Sequence, residues 1–339
     1  MAGITVLFEG EIAFSHKDYL VNELKAIQNL EIIFREKIDP EAYKLASKAD
    51  VLVSGHPTDE LLKAATNLKL HIVPFAGVQH VTERFREINK SRKVILVNAH
   101  WNDYPTAQHA VALLLALTNR LIHYHENMVT GKWRVFEDGF ASMPLRDRNI
   151  GLLGYGRVNR LTHRFLAGFD CSFGALKRSW QGFDDELPTP VKRYTPDEFH
   201  SFLSWADILI IAMPMTPGTE GLIKTGELGL LGPDGLLVNV SRGKLLEEED
   251  LYNALKERLI AGAGLDVWYN YRPEPDARGR KYPYESQHPF HELPNVVLSP
   301  HRGASPIKSL RRWGEVIENI RRFTQGKELI NVVDLEHGY

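Results

Sequence analysis

The stretch from Asn149 to Arg178 constrains the fold more than any other part of the chain. An apolar run, Ile150 to Leu153, leads into Gly154-Tyr155-Gly156-Arg157-Val158-Asn159, and helical periodicity follows through Leu161, Phe165 and Leu166. A second apolar run starts at Cys171. Strand, glycine turn, helix and strand in that order make a βαβ unit. In such a unit Gly154 permits a tight turn, and Gly156 lets the backbone approach a pyrophosphate. The helix N-terminus supplies N–H groups and a partial positive charge. Tyr155, Arg157 and Val158 complete this candidate dinucleotide turn. Asn159 stands where the fingerprint has its third glycine, so the motif is short by one position.

A dinucleotide's ribose is read at the end of the second strand. NAD-specific chains carry a carboxylate there, about 20 residues past the glycines, for the 2′-hydroxyl. The equivalent place here is near Ala175 and is followed by Leu176, Lys177, Arg178 and Ser179. Two cations and a hydroxyl suit a 2′-phosphate. At roughly 1.5–3 kcal/mol for each charge-assisted bond, they predict NADP preferred over NAD. The bland alternative is a solvated loop pair.

Composition excludes several function classes. With 339 residues the chain is long enough for two domains. A formal charge of −2 gives no electrostatic footprint for nucleic acid or an anionic membrane. The single cysteine, Cys171, rules out an intramolecular disulfide and a multi-cysteine metal site, and no metal is expected. The longest apolar run, Ala110 to Leu117, is far shorter than the ~20 residues of a membrane span. No basic leader precedes the strand at Ile4–Phe8, so a cytoplasmic location is expected.

Strand-like runs at 4–8, 31–34, 51–53, 68–75 and 94–97 alternate with helical patterns, which implies parallel βαβ packing. A long helical pattern runs from Ala107 to about Val129. Further strands are expected at 208–212, 236–240, 263–267 and 296–298, and a helix at 308–325. The sheet bearing Gly154 is thus inserted in a fold that both termini share. The expected division is 1–99 with 303–339 as one domain and 100–302 as the other. Between Tyr269 and Pro294 five prolines and little periodicity mark a long loop, uncommon in a compact domain unless functional or capping.

Ligands of open α/β sheets bind beyond the carboxyl ends of the strands. The polar residues there include His56, the Ala76-Gly77-Val78 turn, Asn98, Pro214 to Thr219, Val240-Ser241-Arg242, Asp266 and His301. Arg242 and His301 are the informative pair. An arginine grips a carboxylate bidentately and polarises a carbonyl. A histidine moves the proton that accompanies hydride transfer. Taken singly, each could equally be a surface salt bridge or a hydrogen-bonded loop residue.

Several segments in order resemble the D-isomer-specific 2-hydroxyacid dehydrogenases. They are VPFAGVQHV from Val73, GKWRV from Gly131, IGLLGYGRVN, AMPMTPGTEGLI from Ala212, VNVSRGKLLEEEDLYNAL from Val238, GLDVW from Gly264 and NVVLSPHRG from Asn295. The resemblance covers nearly the whole chain and implies two Rossmann-like or flavodoxin-like α/β domains with parallel sheets, the substrate domain discontinuous. It implies that Ala76, Gly77 and Val78 and Arg242 bind the substrate carboxylate. His301 would be the acid/base, and Pro214, Thr219, Val240, Ser241 and Asp266 would lie along the cofactor.

The family usually adds a glutamate that pairs with the histidine. Here the position five past Asp266 is Tyr271, and Glu274-Pro275 restores the pattern only if three residues are inserted. Glu274 is therefore the expected carboxylate, with Tyr271 or another residue the alternative support for His301. The implied activity is NAD(P)H-dependent reduction of a small 2-keto acid by a homodimer. The alternatives are an NAD-dependent phosphoglycerate-, lactate- or formate-type dehydrogenase and a non-catalytic NAD(P)-sensing protein. His288 and His291 are expected to be structural, and His109 to serve the start of the long helix.

Overall fold

In the computed structural model, residues 3–134, 142–304 and 308–338 are described. The chain divides into two compact units, Met1–Asn102 with Pro306–Tyr339, and Asp103–Ser305. Val135, at the end of the GKWRV segment, lies outside the described residues.

The first unit holds strands β1 (Ile4–Glu9), β2 (Leu30–Arg35), β3 (Val51–Val53), β4 (Leu70–Val73) and β5 (Ile95–Asn98). They form one parallel sheet in the order β2-β1-β3-β4-β5. Helices α1 (Phe14–Leu24), α2 (Pro40–Ala46), α3 (Asp59–Ala64) and α4 (Gln79–Asn89) connect them. Local chemistry sets the helix starts. The Asp39 carboxylate accepts from Ala42 N–H and the Thr58 hydroxyl from Leu61 N–H, each satisfying an orphan donor of the first turn. Every residue of β3 and β4 is buried, as expected of central parallel strands covered on both faces. The C-terminal helix α11 (Gly314–Thr324) packs Val316, Ile317 and Ile320 on the face of Val6, Phe8, Val51 and Val53. The tail then returns to β5, where Val333 N–H donates to Leu96 O at 2.9 Å.

The second unit carries β6 (Asn149–Leu153), β7 (Ser172–Leu176), β8 (Val191–Tyr194), β9 (Ile208–Ile211), β10 (Leu236–Asn239), β11 (Gly262–Leu265) and β12 (Val296–Leu298). Their order is β12-β11-β10-β9-β6-β7-β8, with all pairs parallel. Helices α5 (Asp103–Thr118), α6 (Leu121–Val129), α7 (Arg157–Leu166), α8 (Phe199–Trp205), α9 (Thr225–Leu231) and α10 (Glu248–Lys256) complete it. Alternation along the strands divides the core. Leu209, Ile211, Leu237 and Leu265 join one apolar cluster, and Ile208, Ile210, Leu236 and Val238 join the other. Strand β6 pairs with β7 on one side and β9 on the other. The order therefore reverses at β6, and the loops after β6 and β9 open at the switch point where such sheets bind ligands.

The long helix expected from Ala107 to Val129 is two helices. Arg120 adopts the left-handed conformation (φ 52°) and separates α5 from α6. Thr118 Oγ1 and Asn119 Nδ2 donate back to the carbonyls of Leu114 and Leu115 at 2.9 and 3.0 Å, closing the last turn of α5. The apolar periodicity runs on through the break, which is why the pattern concealed it. Among the described residues no helix is long and apolar enough to cross a membrane.

The proline-rich stretch works as a cap. Phe290 is fully buried against Trp268, Tyr252 and Tyr284. His288 Nδ1 meets Glu248 at 3.2 Å, and His291 Nδ1 meets the Tyr284 hydroxyl at 2.9 Å.

Candidate active site

The turn between β6 and α7 is built for close approach. Gly154 has φ +83°, and a Cβ there would lie 2.6 Å from Met213 Cβ and 2.9 Å from the Ala212 carbonyl oxygen. No other residue fits without moving β9's end. Gly156, by contrast, faces open space and precedes α7 without a side-chain cap. An uncapped helix start with room in front of it fits a pyrophosphate. Asn159 explains the missing third glycine. It is fully buried, and its amide nitrogen donates to the carbonyls of Leu153, Gly154 and Ile210 at 3.2, 3.0 and 3.2 Å. Close packing is achieved by tying the turn to β6 and β9 instead of by removing a side chain. Tyr155 lies beneath the turn, where burial pushes its pKa up to about 12. Its hydroxyl meets His163 Nδ1 at 2.7 Å, and burial lowers that histidine to about 4.

At the end of β7, Lys177 Nζ sits 4.5 Å from the Phe183 ring centroid and 5.9 Å from that of Trp180. The Arg193 guanidinium lies over the same two rings at 5.7 and 5.0 Å. Arg178 and Ser179 are exposed beside them. Beyond β9, the Thr219 hydroxyl closes the Pro214–Thr219 loop by accepting from Thr216 N–H at 2.8 Å and donating to the Pro214 carbonyl at 3.1 Å.

Arg242 is placed by its neighbours in three loops. Asn239, the last residue of β10, donates to the Arg242 carbonyl at 2.9 Å and accepts from Ser241 N–H at 3.0 Å. The Ser241 hydroxyl donates to the Met213 carbonyl, joining this loop to the one after β9. A Cβ on Gly243 would stand 2.4 Å from the Trp268 carbonyl oxygen, so the glycine lets the arginine loop lie against the end of β11. The Trp268 indole in turn donates to the Ser299 carbonyl beyond β12 at 2.8 Å.

Asp266 is the centre of this arrangement. Its carboxylate accepts from Ser299 Oγ at 2.5 Å, Arg302 N–H at 2.7 Å and Gly303 N–H at 2.8 Å. His109 Nε2 lies 2.8 Å from Ser299 Oγ and 3.3 Å from the carboxylate. Burial alone would raise the Asp266 pKa, but the bonds from His109, Ser299, Arg302 and Gly303 outweigh it and lower the value. A carboxylate bonded to residues on both sides of His301 bends the chain tightly there, and His301 takes a left-handed φ of 57°. That conformation costs a non-glycine residue roughly 1–2 kcal/mol, which the bonds to Asp266 offset.

The environment of His301 lowers its pKa. Crowding by protein atoms is the largest cause, and the Arg242 and Arg302 charges add to it. The Asp266 charge and backbone carbonyl oppose it. Tyr271 closes the group, its ring 5.2 Å from the His301 ring at 84°, with its hydroxyl accepting from Trp268 N–H at 3.3 Å. Burial lowers the Arg242 pKa, and Tyr271 acts to raise it. Arg242, Asp266, Tyr271 and His301 therefore come together.

The structure does not bring Glu274 to His301. That side chain is exposed and lines a separate cleft of about 660 Å³ with Glu220, Glu247, Tyr269 and Tyr282. The cause is local. Tyr269 and Asn270 N–H groups donate to the Pro283 carbonyl at 3.3 and 2.9 Å, which turns Tyr271 back toward His301 and carries the next residues away. Ser299, Trp268 and Asn239 were not singled out from sequence as supports. His109 was assigned to the helix start alone. Only the fold reveals that its ring reaches Ser299.

In the first unit, the Ala76–Val78 turn follows β4 and is pinned from β5. Asn98 Nδ2 donates to the Ala76 carbonyl at 2.7 Å, and the Trp101 indole to the Pro74 carbonyl at 3.1 Å. The turn leads into α4, which starts without a side-chain cap. Among the described residues, no group of three or more histidine, cysteine, aspartate or glutamate side chains could hold a metal ion.

Residues 111–303 match the family model described as the D-isomer specific 2-hydroxyacid dehydrogenase, NAD binding domain. The chain belongs to this family. It is 26% identical over 336 residues to a glyoxylate/hydroxypyruvate reductase of Arabidopsis thaliana, covering 98% of this chain and 95% of that protein. Identity to the glyoxylate reductase of Pyrococcus furiosus is 28%, over 92% of this chain and 83% of that one. A D-3-phosphoglycerate dehydrogenase of Archaeoglobus fulgidus is 29% identical over 96% of this chain, which spans 58% of that protein's length. Among solved structures, the NADPH-dependent glyoxylate/hydroxypyruvate reductase of Sinorhizobium meliloti, in complex with NADP and malonate, shares the fold. Its TM-score is 0.75 at 23% identity, covering 99% of this chain and 98% of that one.

Asp266→Asn tests the centre of the site. An amide in place of one carboxylate oxygen leaves a buried backbone donor or the Ser299 hydroxyl without an acceptor, at about 1–3 kcal/mol. Urea denaturation should show a loss of that size, and Ser299→Ala a smaller one.

Proposed function

We propose that the protein reduces a small 2-keto acid to the D-2-hydroxy acid with NAD(P)H, glyoxylate and hydroxypyruvate being the first candidates. The observation that carries this reading is the meeting of Arg242 and His301 beyond the strand ends of the sheet that bears the glycine turn. Family membership and the reductases among the relatives support it. A nicotinamide cofactor, when bound, would supply the hydride for the keto carbon. Arg242 holds the substrate carboxylate and stabilises the charge that develops on the keto oxygen. A ring nitrogen of His301 gives that oxygen its proton. Within the first unit, the backbone N–H groups of Ala76, Gly77 and Val78, in the turn that leads into the uncapped start of α4, suit a carboxylate. Asp266 braces the His301 turn, and with Val240, Ser241, Pro214 and Thr219 it would line a bound cofactor.

Arg242→Ala and His301→Ala should each lower kcat/KM for reduction by about 10²–10³-fold. Reduction needs the protonated imidazole, and the His301 pKa lies below its ordinary value of about 6.5. Thus kcat/KM for reduction should already be falling at neutral pH, with its inflection on the acid side of 6.5, and oxidation of the hydroxy acid should rise over the same interval. An inflection well above 7 would contradict the reading.

We further propose that NADP is preferred over NAD. The cations at the end of β7 support this, Lys177 being held over the Phe183 and Trp180 rings. Replacing Lys177 and Arg178 together with alanine should raise the KM for NADPH about tenfold or more and leave that for NADH nearly unchanged. Equal effects on the two cofactors would refute the preference.

We also read the protein as a cytoplasmic homodimer. Helix α6 buries none of its residues and exposes Leu121, Ile122, Met128 and Val129, an apolar face suited to a second copy. Sedimentation should give a dimer for the parent chain and a shift toward monomer for Val129→Asp. An unchanged dimer would move the contact elsewhere.

A further inference from the structure

The reading of His301 as the proton donor leaves open what holds its ring. Among the described residues no carboxylate is bonded to the imidazole, whose hydrogen-bond partner is the Asp266 backbone carbonyl. Asp266 commits both oxygens to Ser299, Arg302 and Gly303. Glu274 faces another cleft. Among the described residues, the charged and polar groups facing the imidazole are Asp266, Arg242, Arg302 and Tyr271, and two of these are cations that repel its proton.

Besides the Asp266 backbone carbonyl, Tyr271 touches the ring. The two rings meet perpendicularly, at 5.2 Å and 84°, the arrangement that aromatic quadrupoles favour. The tyrosine is itself fixed. Its hydroxyl receives the Trp268 N–H at 3.3 Å, and its loop is tied by Asn270 N–H to the Pro283 carbonyl and by Arg272 N–H to Asn270 Oδ1, both at 2.9 Å. Trp268 is buried and bonded to the Ser299 carbonyl, two residues before His301. The tyrosine and the histidine thus hang from one frame, by way of Trp268.

We propose that Tyr271 is the positioning residue of His301: its ring fixes the plane of the imidazole and screens one side from water. This rests on the assignment of His301 as the acid/base. The role gives a signature that a contact with substrate or general support of the fold would not. Without the ring, the imidazole rotates and proton delivery slows. The imidazole, already exposed on its other sides, also gains water on this one, and its proton affinity rises toward the ordinary value.

The test uses the full-length protein and the variants Tyr271→Ala and Tyr271→Phe. Tyr271→Ala should lower kcat for reduction about tenfold with KM within about twofold, and should move the inflection of the pH profile upward by about 0.5 pH unit. Tyr271→Phe, which keeps the ring and the backbone ties at Asn270 and Arg272 and loses only the long 3.3 Å bond from Trp268 N–H, should stay within about twofold of the parent in kcat and keep its inflection. The His301 imidazole can be titrated separately by NMR in histidine-labelled protein, its signal identified by loss in His301→Asn. The midpoint should rise in Tyr271→Ala and not in Tyr271→Phe. Parent-like kcat and midpoint in Tyr271→Ala would overturn the proposal, as would a loss confined to KM. If the parent reduces no keto acid, the proposed reaction fails, and the titration alone decides whether Tyr271 screens His301.

Discussion

One carboxylate holds the candidate site together. Asp266 is almost wholly buried, and a buried charge is tolerated only where donors replace the water it has lost. Its donors come from the far side of β12: a serine hydroxyl, two backbone N–H groups and, through that serine, a histidine from α5. The ends of β11 and β12 and the N-terminal half of α5 are thereby fixed on one point. The chain between Ser299 and Gly303 has to turn tightly around that point, and the left-handed backbone of His301 follows from the turn. The strain is local, it is carried by the residue read as the acid, and the bonds that impose it also offset it.

The same carboxylate sets the electrostatic balance. Arg242 has to be close to His301 if one substrate is to meet both, yet its charge makes the imidazole harder to protonate, and so does the crowding of the ring. Asp266 opposes both influences through its charge and its backbone carbonyl without forming an ion pair with the imidazole. The net result is a histidine below its ordinary pKa, which gives its proton up readily once protonated. An acid of lowered pKa is a stronger donor but is less often charged at neutral pH, so the arrangement exchanges occupancy of the protonated state for ease of transfer.

Much of this was legible in the chain, for reasons that differ between elements. The strand and helix alternation was clear because parallel strands buried on both faces read as unbroken apolar runs, as in Ile208–Ile211 and the first three residues of β10, Leu236 to Val238. The glycine turn was legible because Gly154 takes a φ of +83°, a local conformation that favours glycine, and because Gly156 leaves open space before α7. What escaped were effects of distant partners. The break at Arg120 interrupts no apolar pattern. Strand β8 is a short edge strand of mixed exposure, Val191-Lys192-Arg193-Tyr194, with no alternation to betray it. Asn159 looked like damage to a motif because its three acceptors include a carbonyl on β9, 51 positions along the chain.

The displacement of Glu274 shows the same limit at the level of chemistry. Spacing along the sequence suggested that a carboxylate three residues beyond the expected place loops back. The direction of the loop is instead decided by the Pro283 carbonyl, which captures two successive N–H groups and aims Tyr271 at the histidine. A side chain's partner is set by where the backbone bonds place its Cα, and those bonds connect residues that no local pattern relates. The residues that act on substrate can be read from their chemical types. The residues that hold them, Trp268, Ser299 and Asn239 here, are ordinary in type and become distinctive only through what they touch.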